Sequence, residues 1–201
     1  MSWFGNLWRS LTTYCTGHCA AILYTAVGML LLVVIVFSGE AALSTTAFCT
    51  TCHSMSYPAK ELKKSSHWGA LGVDPECRDC HIPQGLSNFH LAVLEHVVSG
   101  TRDLIHEFTG DYSTVKKFNK RRLKMAHFAR LRMKARDSLT CRACHKNTRP
   151  PGKSPKAAHK KMETEGATCI DCHQNLVHKE VDETDLDASL AQGKMVIREE
   201  E

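Results

Sequence analysis

The chain has 201 residues with ten cysteines, twelve histidines and a formal charge of +5 at neutral pH, a length that allows one small domain and an appendage. Eight of the cysteines fall in four C-x-x-C-H runs, where composition alone would give roughly 0.03. That pattern excludes a zinc finger, which needs a second ligand pair at finger spacing, and a disulfide framework, which leaves the adjoining histidine unexplained.

In chain order, residues 1–19 read as a cytoplasmic N-terminal segment. Trp3, Phe4 and Trp8 suit a membrane interface. Cys15 and Cys19 flank His18 at a spacing that is not that of haem attachment, and they read as plain thiols ahead of the anchor. Residues 20–38 read as a transmembrane anchor. Ala20 to Phe37 is uncharged, and eighteen residues at about 1.5 Å each reach about 27 Å. The apolar region of a cleaved signal peptide is usually shorter, about 7–15 residues, and no clear small-x-small site follows this run directly. Arg9 before the span and Glu40 after it predict a cytoplasmic N-terminus and an external remainder.

Residues 39–178 read as the domain that carries the motifs. The first is Cys49-Thr-Thr-Cys52-His53 and the second Cys77-Arg-Asp-Cys80-His81. A helical segment, 86–137, follows. Leu86, Phe89, His90, Val93, Val97 and Leu104 recur near helical spacing and predict one helix over Leu86–Phe108, with His96, Gly100 and Asp103 on one face. A second, basic helix is predicted over Ser113–Asp137. Then come Cys141-Arg-Ala-Cys144-His145 and Cys169-Ile-Asp-Cys172-His173. Residues 179–201, with Glu180, Asp182, Glu183, Asp185 and Asp187, read as a solvated acidic tail.

C-x-x-C-H is the attachment signal of haem c: the two thiols add across the vinyl groups and the histidine binds the iron. Four covalently bound haems are implied, on Cys49, Cys52, Cys77, Cys80, Cys141, Cys144, Cys169 and Cys172. Their propionates outweigh the +5 charge. The basic run from Lys116 to Arg136 therefore reads as propionate partners or a solvated helix face, and no nucleic-acid contact is expected.

The motifs come in two pairs, 49–81 and 141–173, related by an offset of 92 residues with 10 of 33 positions identical. This reads as a duplicated two-haem module. His67 and His159 occupy the same place in each copy, so each is expected to be a distal iron ligand, and His178 is a third candidate. Spacing does not tell which haem each serves. Four haems supply much of the buried apolar surface, so the fold expected is mostly α: one N-terminal transmembrane helix, then short helices and loops around porphyrin with little or no sheet.

One anchor, four motifs and a closing motif followed by His178 resemble the NapC/NirT/NrfH family of membrane-bound tetrahaem quinol dehydrogenases, from about Trp8 to His178. The family's first motif reads C-x-x-C-H-x-M, which Cys49 to Met55 matches. The resemblance implies Met55 as the ligand of the first iron with His53 displaced, and ordinary His53 ligation is the alternative. His81, His145 and His173 are implied as the remaining motif ligands, and His67, His159 and His178 as distal ones. A quinol site beside the first haem, built in the family on an Arg-Asp pair and a Lys seven residues earlier, maps onto Arg102-Asp103 and His96. Here His stands in place of the Lys. Gln84 occupies a position where near relatives have a His, which leaves the first haem without an obvious strong sixth ligand.

The resemblance further implies an electron-transfer subunit or quinol dehydrogenase of a respiratory chain, of an anaerobic or nitrogen-respiring kind. It would cross the bacterial inner membrane once, with the haem domain in the periplasm. Quinol or quinone would be the substrate, a periplasmic oxidoreductase or cytochrome the partner, and a homo-oligomer is possible. Asp103 or His96 can take the proton that quinol oxidation releases. A tethered shuttle without a quinone site, and a quinone reductase running in reverse, are the alternatives. Direction of flow is not written in these residues.

Overall fold

A computed structural model describes residues 3–146 and 150–199, with all their side chains except those of Cys15 and Thr16. The Cys15 thiol thus lies outside the described part. The chain is mostly helical. Among the described residues there is no sheet, only single bridges at Ala70–Val73 and Thr184–Ile197. It divides into two units, residues 1–42 and 43–201.

The first unit is a single helix, α1 (Trp3–Leu43). Its stretch Gly17–Leu43 is long and apolar enough to cross a membrane, and none of it is buried in protein. Leu30, Leu31, Leu32, Val33 and Val34 all lie open. A helix apolar on every side is what lipid rather than a protein core solvates. Within it the Thr25 hydroxyl donates to the Ala21 carbonyl at 2.8 Å, so this polar group is satisfied inside the helix. The 20–38 segment lies inside this helix.

The second unit carries the motifs on short helices. In chain order these are α2 (Thr46–Cys49), a 3-10 turn (His53–Met55), α3 (Ser56–Leu62), α4 (Cys77–His81), α5 (Phe89–Leu94), α6 (Thr101–Thr109), α7 (Val115–Ala135), α8 (Leu139–Cys144), α9 (Lys153–Thr164), α10 (Cys169–Cys172) and α11 (Leu186–Gln192). The brevity of α4 and α10 is set by capping. Asp79 Oδ2 accepts from the Glu76 N–H and Asp171 Oδ2 from the Thr168 N–H, both at 2.7 Å. In each case the third helical residue closes a capping box and fixes where the motif begins.

Apolar core is sparse. The buried hydrophobic residues among those described are Leu62, Ala92, Tyr112, Phe118, Ile170 and Leu186. Much of the cohesion is instead electrostatic and centred on α7. Arg122 grips Glu61 of α3 with two bonds of 2.8 Å, and Lys134 lies 2.8 Å from Asp171 and 3.0 Å from Asp187. Arg130 donates to the Asp182 carbonyl and to Asn175 Oδ1, both at 2.9 Å. Just past the helix, Arg136 reaches Glu95 at 2.6 Å, and Arg132 reaches the same carboxylate at 3.2 Å. Several of the basic residues expected to meet propionates or solvent therefore meet protein carboxylates and carbonyls.

The helical stretch read over Leu86–Phe108 is found as one unbroken run, made of a 3-10 turn (Leu86–Asn88), α5, a π-helical stretch (Glu95–Gly100) and α6. The wider π turn coincides with buried Glu95, which accepts from Ser99 Oγ at 2.8 Å while the arginines hold its other side.

The C-terminal segment is folded rather than a solvated tail. Gln174 and Thr184 pair reciprocally, Nε2 to carbonyl at 2.8 Å and N–H to Oε1 at 3.0 Å. The Asp185 side chain caps α11, and Leu186 is 1 % exposed. Arg198 bonds Glu183 and the Asp171 carbonyl.

Candidate functional site

The four motifs are neighbours in sequence order. α2 packs on α4 and α4 on α8. The Cys49 and Cys77 thiols share a hydrogen bond, which pushes Cys49 up and draws Cys77 down to about 6. Cys80 is pushed up to about 11 by burial and then by Cys141 and Cys144, and Cys141 is raised by burial and by Cys169. First, second, third and fourth motifs thus form one continuous line. The eight motif cysteines form no disulfide.

The histidines form pairs. The rings of His81 and His178 have centroids 6.2 Å apart, those of His67 and His145 6.4 Å, and those of His159 and His173 5.9 Å. Two imidazoles bound through one nitrogen each to opposite faces of one iron have centroids about 6 Å apart. Among the described residues no three His, Cys, Asp or Glu side chains converge as a metal cage. Paired rings suit a metal whose other four positions are filled by a porphyrin. Each pair includes one motif histidine beside its two thiols, so thiols and rings together fit covalent haem c.

The environment favours the neutral form of His81 and His178, the form that binds metal. His81 is surrounded by protein yet open to water, as a side chain lining a cleft is. Its pKa falls to about 4, through loss of solvent first, then through His178 and Arg132. His178 is lowered by burial, with Arg122 adding and Glu61 opposing. His159 Nδ1 lies 2.9 Å from the Pro155 carbonyl, which leaves Nε2 for an iron. The matched histidines His67 and His159 are used differently. His67 follows α3 in a turn and faces the third motif, whereas His159 sits within α9 and faces the fourth.

The first motif has a different arrangement. His53 Nε2 lies 2.8 Å from the Tyr57 hydroxyl. Met55 closes the 3-10 turn, its N–H donating to the Cys52 carbonyl at 3.1 Å. Between them Ser54 donates through Oγ at 2.5 Å and through its N–H at 3.3 Å to Glu107, which pins α6 over the motif. Asp103 precedes Glu107 by one helical turn and so shares its face. Both carboxylates raise the Cys52 thiol, after burial. Asp103 is itself raised by burial, against Arg132, His106 and Arg102, which lower it.

Asp103, which the resemblance implies for a site beside the first motif, lies close enough to that motif for its charge to act on the Cys52 thiol. His96 instead turns its Nδ1 towards the Ala92 carbonyl at 3.1 Å, and His106 is the histidine whose charge acts most on Asp103. Gln84 folds back on its own turn, its amide donating to the Ile82 carbonyl at 2.9 Å. Sequence reasoning missed Glu107, Tyr57, Glu61 and Glu95. Only Glu107 carried a signal, its spacing of four from Asp103.

Residues 12–183 match the model of the NapC/NirT cytochrome c family, N-terminal region. A probable tetrahaem cytochrome c-type protein of Nitrosomonas europaea is 62% identical over 185 residues, 92% of this chain and 79% of that protein. NapC of Haemophilus influenzae is 33% identical over 162 residues, 79% of each chain. TorY of the same species is 40% identical over 140 residues, 67% of this chain but only 37% of TorY. No solved structure matches.

Proposed function

The chain belongs to the NapC/NirT cytochrome c family, and on that premise we propose that it is a membrane-anchored tetrahaem cytochrome that moves electrons between the quinone pool and a redox partner outside the cytoplasm. The observation that carries this reading is the set of three histidine pairs at bis-axial spacing, each joined to a C-x-x-C-H motif. His81 with His178 would hold the second haem, His145 with His67 the third and His173 with His159 the fourth. Met55 would hold the first, because the Tyr57 hydroxyl occupies His53 Nε2, and Asp103 stands near that motif in place of a strong sixth ligand.

Haem c, when bound, supplies reversible one-electron oxidation and reduction. The chain's own part is to hold four such groups in line and to manage the protons of the quinol. Asp103, raised by burial and restrained by Arg132, His106 and Arg102, is the group to accept a proton from a quinol hydroxyl at the first motif. His106 is the neighbouring titratable group that can pass it on. Ser54 and Glu107 fix the distance between that carboxylate and the motif.

A redox titration of the purified membrane protein, with and without a quinol-site inhibitor, tests this. Four haems and an inhibitor-dependent shift of one potential are expected. Four potentials indifferent to the inhibitor would leave a tethered shuttle, and fewer than four haems would overturn the cofactor assignment.

A further inference from the structure

We propose that Glu61 is a positioning residue for the His178 ligand: its carboxylate, 3.7 Å from His178 Nδ1, attracts the Nδ1–H, holds Nε2 towards the second motif, and lowers the potential of the haem bound there. This rests on the reading that His81 and His178 bind one iron from opposite sides.

Glu61 joins three parts of the domain. It sits on α3, receives two 2.8 Å bonds from Arg122 of α7, and accepts at Oε2 from the Lys179 N–H at 3.1 Å. That same oxygen lies 3.7 Å from His178 Nδ1. The Lys179 contact spans 118 positions of sequence and fixes the residue directly after the ligand. Arg122 is 7 % exposed at its side chain, so the carboxylate is held by a well-shielded partner.

His178 Nδ1 is shielded from water and has no hydrogen-bond partner at full bonding distance. The Pro58 carbonyl and Glu61 Oε2 both face it. Once Nε2 is bound to a metal, Nδ1 must carry a proton, and a donor aimed at a carboxylate is favoured over one left unpaired. His159 has the neutral Pro155 carbonyl at 2.9 Å from its Nδ1, as His178 has that of Pro58, but His178 faces the Glu61 carboxylate in addition. A carboxylate acceptor makes an imidazole more basic and more electron-rich, which favours the oxidised iron. Glu61 therefore sets the second haem apart from the fourth, although both have two histidine ligands.

The test is a spectroelectrochemical titration of purified full-length protein, with electron paramagnetic resonance of the oxidised form, for E61Q and E61D. In E61Q with four haems loaded, one potential rises and one low-spin signal moves while the other three stay. E61D, whose carboxylate is withdrawn by one methylene, moves the same potential less. It carries the measurement if E61Q loads poorly. Four unchanged potentials and signals in the loaded variants would overturn the proposal and reduce Glu61 to a tie between α3 and α7. A thermal midpoint that falls without any change in potential means the same. The ligand assignment is checked separately by H178A, which turns one haem high-spin. If H178A leaves every spin state alone, the reading of His178 as a ligand fails, whatever Glu61 does.

Discussion

In the proposed reading, Asp103 is the residue on which the chemistry at the first motif turns. A carboxylate that takes a proton works only above its own pKa. Burial raises that of Asp103 above the ordinary 3.8, so quinol oxidation should fall off as pH drops through the raised value. Asp103→Asn removes the acceptor, and with it about 10²-fold of turnover, while all four haems stay loaded. The acid limb of the pH profile should vanish in the variant. Steady-state quinol oxidation against pH checks both, and an unchanged profile would take Asp103 out of the reaction. Asp103 was singled out through the family resemblance, which rests there on the Arg102-Asp103 pair. Its support by Ser54 and Glu107 was not legible in the sequence, because that contact joins residues 53 positions apart. Arg132 and Arg136 close on Glu95 where the helix departs from α geometry.

At the scale of elements, strongly patterned helices were readable and electrostatically determined ones were not. The basic helix expected over Ser113–Asp137 is found at Val115–Ala135, a segment rich in Lys, Arg, Leu, Met and Ala and free of Gly and Pro. The C-terminal segment was misread because its charges dominate its composition, while its order depends on few groups, chiefly Leu186 and the Gln174–Thr184 pair. Leu186→Ala should cost about 2–4 kcal/mol, as for any fully buried leucine, and should expose residues after Lys179 to limited proteolysis. Equal protease resistance in the variant would mean that the segment does not depend on that packing. The end of α6 supplies a second prediction. Gly110 has an ordinary extended backbone, φ −91°, but a Cβ there would run into the Tyr112 ring and the His106 carbonyl. Gly110→Ala should therefore destabilise by about 1–3 kcal/mol, the usual cost of overpacking. It should also slacken α6 over the first motif, seen as a lowered thermal midpoint together with slower quinol oxidation.

For the whole molecule, sequence spacing revealed the motifs and the candidate distal histidines but not their pairing, because pairing is a property of how the chain returns on itself. His67 faces the third motif and His178 the second, contacts that no local rule anticipates. A few buried carboxylates gripped by α7 and its flank tie those returns together, and this makes acid the condition to test. Burial pushes Glu95 up, but Ser99, Arg136 and Arg132 outweigh it and hold its pKa below the ordinary 4.5. In Asp171 burial is likewise outweighed, by Lys134 and the Thr168 N–H, and the pKa lies below 3.8. A carboxyl with a depressed folded pKa contributes stability that is fully present above its unfolded value and is lost as pH falls through the folded one. The thermal midpoint should therefore stay level from neutral pH to about 5 and fall steeply below about 4. Glu95→Gln leaves two arginines without their counter-charge, costing about 2 kcal/mol and lowering the midpoint at neutral pH by about 5 °C. It should also make the acid decline shallower, since one of the titrating groups is gone. Calorimetry of the loaded protein across that range decides the matter: an acid decline as steep in the variant as in the parent would mean that Glu95 is not among the groups whose protonation opens the fold.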